Sequence, residues 1–178
     1  AELSLINQHV KTDELNSFLE PLLQGHNMGL MSDAGCPGIA DPGAEIIKLA
    51  HKKEIKVVPL VGPSSIVLSI MASGFNGQNF AFNGYLPIDK AERPKRIKEL
   101  EQLTVKFKQA QFFIETPYRN GTMFEDLLKT LQPNTYLLVA TNITLGDECI
   151  LVKPISAWKK GETPDFYKKP TVFGLYTY

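Results

Sequence analysis

Cysteine is nearly absent from this sequence: two in 178 residues, Cys36 and Cys149. Two thiols exclude a disulfide framework and cannot make a zinc site alone. Free thiols fit a reducing, cytoplasmic compartment. An excess of charge is lacking as well. Lysine plus arginine and aspartate plus glutamate stand at 19 each, so the whole-chain charge gives no reason to expect a polyanion partner. No long apolar run and no signal peptide is present, so neither a membrane span nor export is expected. The three histidines have no metal-ligand spacing and no Ser-His-Asp arrangement stands out, so neither a metal site nor nucleophilic hydrolysis is expected. The chain also lacks an initial Met and opens without a strand and turn, as a domain fragment would.

The balance of charge conceals a gradient. Residues 1–85 carry 5 basic against 8 acidic side chains, and residues 86–178 carry 14 against 11. If a polyanion binds, the second half offers the better surface.

What is present is an alternation of elements. Core-spaced Leu15, Phe18, Leu19 and Leu22 predict a helix that Thr12 or Asp13 would cap. "MGLMSD" (28–33) and "IKVVPLV" (55–61) read as buried strands, with the amphipathic helix "GAEIIKLAHKKE" (43–54) between them. "GPSSIVLSIMASGF" (62–75) gives a turn and a helix apolar almost all round, which predicts burial. Strand, loop, helix, strand, loop, helix is the order of a parallel α/β sheet. Near Phe80 the pattern changes. A long charged helix over 88–110, strands at 111–115, 135–143, 147–153 and 170–178, and helices over 116–131 and 155–161 predict an α+β half with a mixed sheet. The expected boundary lies near Tyr85–Pro87, dividing the chain into domains 1–85 and 86–178.

Three stretches carry chemistry. "SDAGCPGIADPG" (32–43) follows an expected strand and leads into a helix, where ligands bind in open α/β sheets. It matches neither a Gly-x-x-x-x-Gly-Lys-Ser/Thr nor a Gly-x-Gly-x-x-Gly pattern. Asp33 and Asp41 would repel phosphate, and a calcium loop needs more oxygen ligands. A neutral or cationic small molecule with hydroxyl or amino donors fits better: glycines such as Gly35 admit the backbone and Asp33 accepts hydrogen bonds. The bland alternative is a tight crossover, and for Asp41 as helix cap with Pro42 at the first helical position that reading is preferred. "VGPSS" (61–65) repeats the geometry and presents Ser64 and Ser65 at a helix start, with Ser64 as a plain cap. "IETPYRNG" (114–121) places Glu115, Tyr118 and Arg119 at a strand end, either as a polar site or as a helix start with Thr116 capping and Arg119 paired to an acid. The charged helix, with Lys95 and Arg96 among its cations, reads as a solvated face or as a track for phosphates.

"SDAGCPGIADPG", "KVVPLVGPSSIVLSIMASG", "GYLP" and "FIETPYR", in that order, resemble the tetrapyrrole-methylase superfamily of S-adenosylmethionine-dependent methyltransferases, nearest to its ribosomal RNA small subunit methyltransferase I branch. The resemblance implies an α/β fold of two domains with a cofactor cleft between them, the first with a mostly parallel sheet and the second with a mixed one. It implies a homodimer, S-adenosylmethionine as cofactor, and ribosomal RNA of the small subunit as partner, methylated on a cytidine ribose 2′-oxygen. Carried over to this sequence, Asp33, Gly35, Ile39, Ser65, Ile66, Ile114 and Thr171 match cofactor-contacting positions. Glu115, Pro117 and Arg119 match a Glu-x-Pro-x-Arg pattern. Glu115 is the candidate general base, and Tyr118, Arg119, Lys95 and Arg96 are candidates for substrate binding.

Two departures stand out. The superfamily's opening strand, Gly-Asn loop and Glu-Asp-Thr-Arg segment would fall before residue 1, so the first domain is expected to be incomplete here. A charged Arg-Glu-x-Thr-Lys stretch of the ribosomal branch is replaced by "TNITLGDECI" (141–150). A small-molecule or protein substrate, or a binding module without catalysis, are the competing readings.

Overall fold

The structure, a computed structural model, describes residues 3–6, 12–166 and 168–178. The side chains of the expected caps Thr12 and Asp13 lie outside the described residues. The chain divides into two compact units, residues 1–64 and 65–178.

In the first unit the single helix expected through Leu15 and Leu22 is broken at Leu19 into α1 (Thr12–Phe18) and α2 (Glu20–Leu23), with Pro21 in the first turn of α2. α3 (Ala44–Lys52) forms as its apolar spacing predicts. Leu15, Leu19, Ile46 and Ala50 are buried together, with Leu30, Ile55 and Val57 partly covered against them. The two strands expected at 28–33 and 55–61 do not form: both segments are irregular and lie outside any ladder. Ile55 and Val57 turn toward the helices, while Val58 and Leu60 are 60% and 87% exposed. β-branched composition records a fit to a pleated, half-buried surface, and without a paired edge it does not make a strand. The mostly parallel first sheet is therefore not formed among the described residues. Asp41 is not the cap of α3 either. The helix starts at Ala44 with Gly43 at the N-cap, at φ 127°. A Cβ on Gly43 would come within 2.8 Å of the Leu30 side chain, so the chain turns here on a glycine.

The second unit is built on one five-stranded sheet of order β1-β2-β5-β3-β4. Its strands are β1 (Phe80–Tyr85), β2 (Ala110–Glu115), β3 (Tyr136–Thr141), β4 (Cys149–Pro154) and β5 (Thr171–Tyr176). Only β1 and β2 are parallel; the other pairs are antiparallel, so the expected mixed sheet is present. Alternation along the strands separates two faces. Phe113, Phe173, Leu175, Leu137 and Val139 face α5 (Glu92–Phe107), α6 (Asn120–Thr130) and α7 (Ile155–Trp158) through Ile97, Leu100, Phe124, Leu127 and Trp158. Phe112, Leu138, Ala140, Val172 and Tyr176 face the other way, with Phe75 and, partly covered, Ile70.

Two details fix the register. The Trp158 indole N–H donates to the Leu137 carbonyl at 2.9 Å, satisfying its one polar atom inside the core. Gly174, opposite Phe112 and Leu138, has no room for a side chain: a Cβ would meet the Phe112 ring at 2.9 Å.

α4 (Ser65–Ser73) packs against β4 and β5. It therefore joins the second unit, and the expected boundary at Tyr85–Pro87 falls inside that unit, between β1 and α5. Its burial is one-sided. Ser69 and Ser73 turn inward, their hydroxyls bonded to the carbonyls of Ser65 and Ile70, while Val67 and Met71 stay exposed. An all-apolar helix was expected to be buried all round; one sheet covers one face only.

Candidate functional site

The strand directions place five strand ends on one edge of the sheet. Tyr85, Glu115 and Thr141 end β1, β2 and β3 there, and Cys149 and Thr171 begin β4 and β5. Glu115, Thr171, Thr141 and Cys149 stand opposite one another across successive strands. They share the α6 face of the sheet. Ile114, paired with Val172, lies on the opposite face among the apolar side chains.

Glu115 is the pivot of this edge. Its side chain is fully buried, and its Oε1 accepts from the Thr116 backbone N–H at 2.6 Å and from Arg119 Nη2 at 2.7 Å. Burial pushes the carboxyl up, but the Arg119 hydrogen bond, the Thr116 amide and the Arg119 and Arg93 charges pull harder, so it lies below its ordinary value of 4.5. Charge-assisted hydrogen bonds to the ionised form have this effect. The acid that Arg119 meets is thus Glu115 itself. Thr116 is not the helix cap: residues 117–119 make a turn, Arg119 N–H bonds the Thr116 carbonyl at 2.9 Å, and α6 starts at Asn120 with Arg119 at the N-cap. Tyr118 stands 81% exposed beside this pair.

Four buried side-chain atoms among the described residues have no hydrogen-bond partner: Glu115 Oε2, Arg119 Nε, Asn120 Oδ1 and Asn142 Oδ1. All four belong to this edge. Glu115 ends β2, Arg119 and Asn120 begin α6, and Asn142 follows β3. Buried polar groups are almost always satisfied, so orphans gathered at one place are sites that bound water or a ligand's polar atoms would satisfy. Asn120 and Asn142 were not expected from the sequence. Asn120 directly follows the Glu-x-Pro-x-Arg pattern, and only its burial sets it apart.

The basic helix looks different. Arg93 is buried, holding Asp126 at 2.8 Å and the carbonyls of Pro87 and Ile88, so it is part of the framework. Lys95 pairs with Glu92, and Arg96 with Glu99 and the Asn83 carboxamide oxygen. Exposed pairs of this kind contribute at most about 1 kcal/mol.

The remaining expected residues divide between the units: Asp33, Gly35 and Ile39 in the first, Ser65 and Ile66 at the start of α4 in the second. Within the first unit the loop is held locally. Ser32 Oγ donates to the Ala34 carbonyl at 2.8 Å, and Ile39 N–H bonds the Cys36 carbonyl. Cys36 Sγ reaches the Pro63 carbonyl at 3.5 Å, so the Gly/Pro loop at 32–43 touches the Gly-Pro turn at 62–63. Gly35 takes φ 72°, a left-handed conformation suited to glycine. Asp33 and Ile39 are exposed.

Comparison with known proteins now bears on these motifs. No protein-family model matches the chain. Ribosomal RNA small subunit methyltransferase I of Vibrio cholerae is 29% identical over 151 residues, 85% of this chain and 51% of that protein. The protein of the same name from Pasteurella multocida is 32% identical, over 90% of this chain and 56% of its own length. The chain is a homologue of these proteins. It spans about half the length of the curated relatives it matches.

Among solved structures the methyltransferase CobJ superposes with TM-score 0.62 at 17% identity, covering 97% of this chain and 73% of CobJ. The cobalamin biosynthetic enzyme cobalt precorrin-4 methyltransferase gives 0.58 at 13%. These likenesses establish the α/β fold. Among the described residues, no helix is long and apolar enough to cross a membrane.

Proposed function

We propose that the chain is part of an S-adenosylmethionine-dependent methyltransferase acting on ribosomal RNA, at a ribose 2′-oxygen of a cytidine in the small subunit. The observation that carries it is the set of four buried, unpartnered polar atoms on the strand-end edge that holds the Glu-x-Pro-x-Arg pattern. Homology to the ribosomal RNA small subunit methyltransferase I proteins supports the same reading.

The residues suit the cofactor. Two of the four orphans, Asn120 Oδ1 and Asn142 Oδ1, are neutral acceptors left over beside Glu115. S-Adenosylmethionine presents the complementary donors: an adenine amine, ribose hydroxyls and an ammonium group. By the resemblance, Asp33, Gly35, Ile39, Ser65, Ile66, Ile114 and Thr171 are the proposed cofactor-contacting positions. Bound there, the cofactor would supply an electrophilic methyl group on a sulfonium.

The chain's own part is alignment and charge. Arg119 and the solvent-facing α5 cations Lys95 and Arg96 hold phosphates. Tyr118 is exposed and free to stack on an unpaired base. Glu115 Oε2 faces no protein donor, so it is the atom available to a ribose hydroxyl. The ion pair to Arg119 keeps that carboxylate ionised and weakens it as a base. Its contribution is to orient the hydroxyl and favour positive charge nearby more than to retain the proton. A homodimer and a cytoplasmic location belong to the same proposal.

The test is methylation with labelled S-adenosylmethionine by the full-length protein, offered small ribosomal subunits and, separately, a small-molecule extract. Label in the ribosomal RNA, located on a ribose, is the expected result. Label only in small molecules would transfer the activity to another substrate, and no label in either would overturn the reading. Asp33→Ala should weaken cofactor binding about tenfold by calorimetry, the worth of one hydrogen bond, and leave the melting temperature of the exposed loop's host unchanged.

A further inference from the structure

Asn120 is wholly buried at the first position of α6. Its amide nitrogen donates to the Lys169 carbonyl at 2.8 Å and to Thr171 Oγ1 at 3.1 Å, while Thr171 Oγ1 itself donates to the Lys169 carbonyl at 3.1 Å. These contacts decide which way the carboxamide faces. A carbonyl oxygen accepts only, so the NH₂ group must face Lys169, and Oδ1 must point away from it. That oxygen is buried and has no partner. Asn142 repeats the arrangement. Its NH₂ group is held by both Asp147 oxygens at 2.9 Å, its backbone N–H bonds the Pro170 carbonyl, and its Oδ1 is likewise buried and unpartnered. Two carboxamides therefore bracket residues 169–171, where the chain enters β5, each with its donor end spent on the protein and its acceptor end unused.

An unpartnered buried acceptor costs about 1–3 kcal/mol. A neutral carboxamide without a charge behind it is a poor host for an ammonium ion, whose desolvation it cannot offset. It suits a neutral N–H on a flat, otherwise apolar group. The carboxylate oxygen of Glu115 is the better match for hydroxyls or an ammonium.

We propose that Asn120 is a ligand-contacting residue of the methyl-donor site, accepting through Oδ1 a hydrogen bond from the exocyclic amine of the donor's adenine. The inference rests on the S-adenosylmethionine reading above and assigns it a base-recognition residue that the sequence motifs do not contain. It lies entirely within the second unit. Asn120 thereby joins two tasks: it ties the start of α6 to the start of β5, and it selects an amino-purine over one that carries an oxygen at the same place.

Calorimetry separates the two tasks. Binding of S-adenosylhomocysteine and of its deaminated counterpart, S-inosylhomocysteine, is measured on the full-length protein and on Asn120→Ala. The wild-type protein should prefer the adenosyl ligand by about tenfold, the worth of one hydrogen bond to a buried acceptor. Asn120→Ala should lose about tenfold for the adenosyl ligand and keep or improve its affinity for the inosyl ligand. An equal loss for both ligands would assign Asn120 a purely structural role and overturn the proposal, as would no loss for either. A wild-type protein that binds neither ligand would overturn the methyl-donor reading, and the proposal with it. If Asn120→Ala fails to fold, Asn120→Ser, whose hydroxyl can still donate to the Lys169 carbonyl, carries the same comparison.

Discussion

The two units of this chain use similar sequence material to different effect. Segment 55–61 and strand β5 are both short, apolar and rich in β-branched or aromatic residues. β5 lies between β2 and β3, paired along its whole length, and all six of its residues are buried. Segment 55–61 has no ladder, and Val58 and Leu60 stand in solvent. The difference is the presence of neighbours. A strand's hydrogen bonds and half its burial belong to its partners, so an apolar run becomes a strand only where two edges meet it. The same contrast separates the glycines. Gly174 is required by the Phe112 ring above it, whereas Gly62 has open space around it.

Substitutions can press on this contrast, beginning with the largest. Phe173 stacks on Phe113 at 5.7 Å in the middle of the sheet. Phe173→Ala should cost about 3–5 kcal/mol in chemical denaturation, the usual effect of emptying an aromatic site in a core. A loss below 1 kcal/mol would mean that the packing of the second unit is not the principal source of its stability. Next comes Gly174→Ala, which should cost about 1–3 kcal/mol through overpacking, while Gly62→Ala changes stability by less than about 0.5 kcal/mol. Equal effects at the two glycines would erase the distinction between the units.

The Glu115–Arg119 pair gives a smaller, pH-dependent effect. Glu115 has a lowered folded-state value, so its contribution is complete above its ordinary value of 4.5 and is lost as pH falls through the lower folded one. Glu115→Gln should flatten that part of the stability-versus-pH curve and cost about 1 kcal/mol at neutral pH. A curve that keeps its acid limb in the variant would place the titrating group elsewhere. The smallest effect is expected at Leu60, which is almost fully exposed. Leu60→Ser should shift stability by no more than about 0.5 kcal/mol. A loss above 1 kcal/mol in the full-length protein would show that another chain segment covers Leu60 there.

Much of the fold was legible from periodicity. Ile46 and Ala50 mark α3 at helical spacing, and every strand of the sheet lies within or beside a run of alternating or β-branched residues. What periodicity could not supply was pairing. It read 28–33 and 55–61 as strands and α4 as wholly buried, because a run of apolar residues records a wish for cover and not its source. The helix caps failed for a related reason. Asp41 and Thr116 are good capping residues by type, yet the turns that follow them run on to Gly43 and Arg119 before the helices begin.

The candidate site was legible as chemistry but not as geometry. Glu115, Pro117 and Arg119 stand out as a compact polar pattern, and the loops at 32–43 and 61–65 announce themselves by glycine and proline. That Glu115 and Arg119 bind each other, that Arg93 is locked inside while Lys95 is not, and that Asn120 and Asn142 each keep an unused acceptor are facts of placement. The sequence by itself determined the order of elements in the second unit, the types of loop and the residue chemistry near the strand ends. These depend on near neighbours in the chain, within a turn of helix or a few residues of strand. Only the tertiary structure decided which strands pair, which charges are spent on the framework and which buried acceptors are left over. Each of those outcomes depends on groups distant in the chain, such as Thr171 meeting Asn120 fifty-one residues away, and on the burial that makes an unmet hydrogen bond costly.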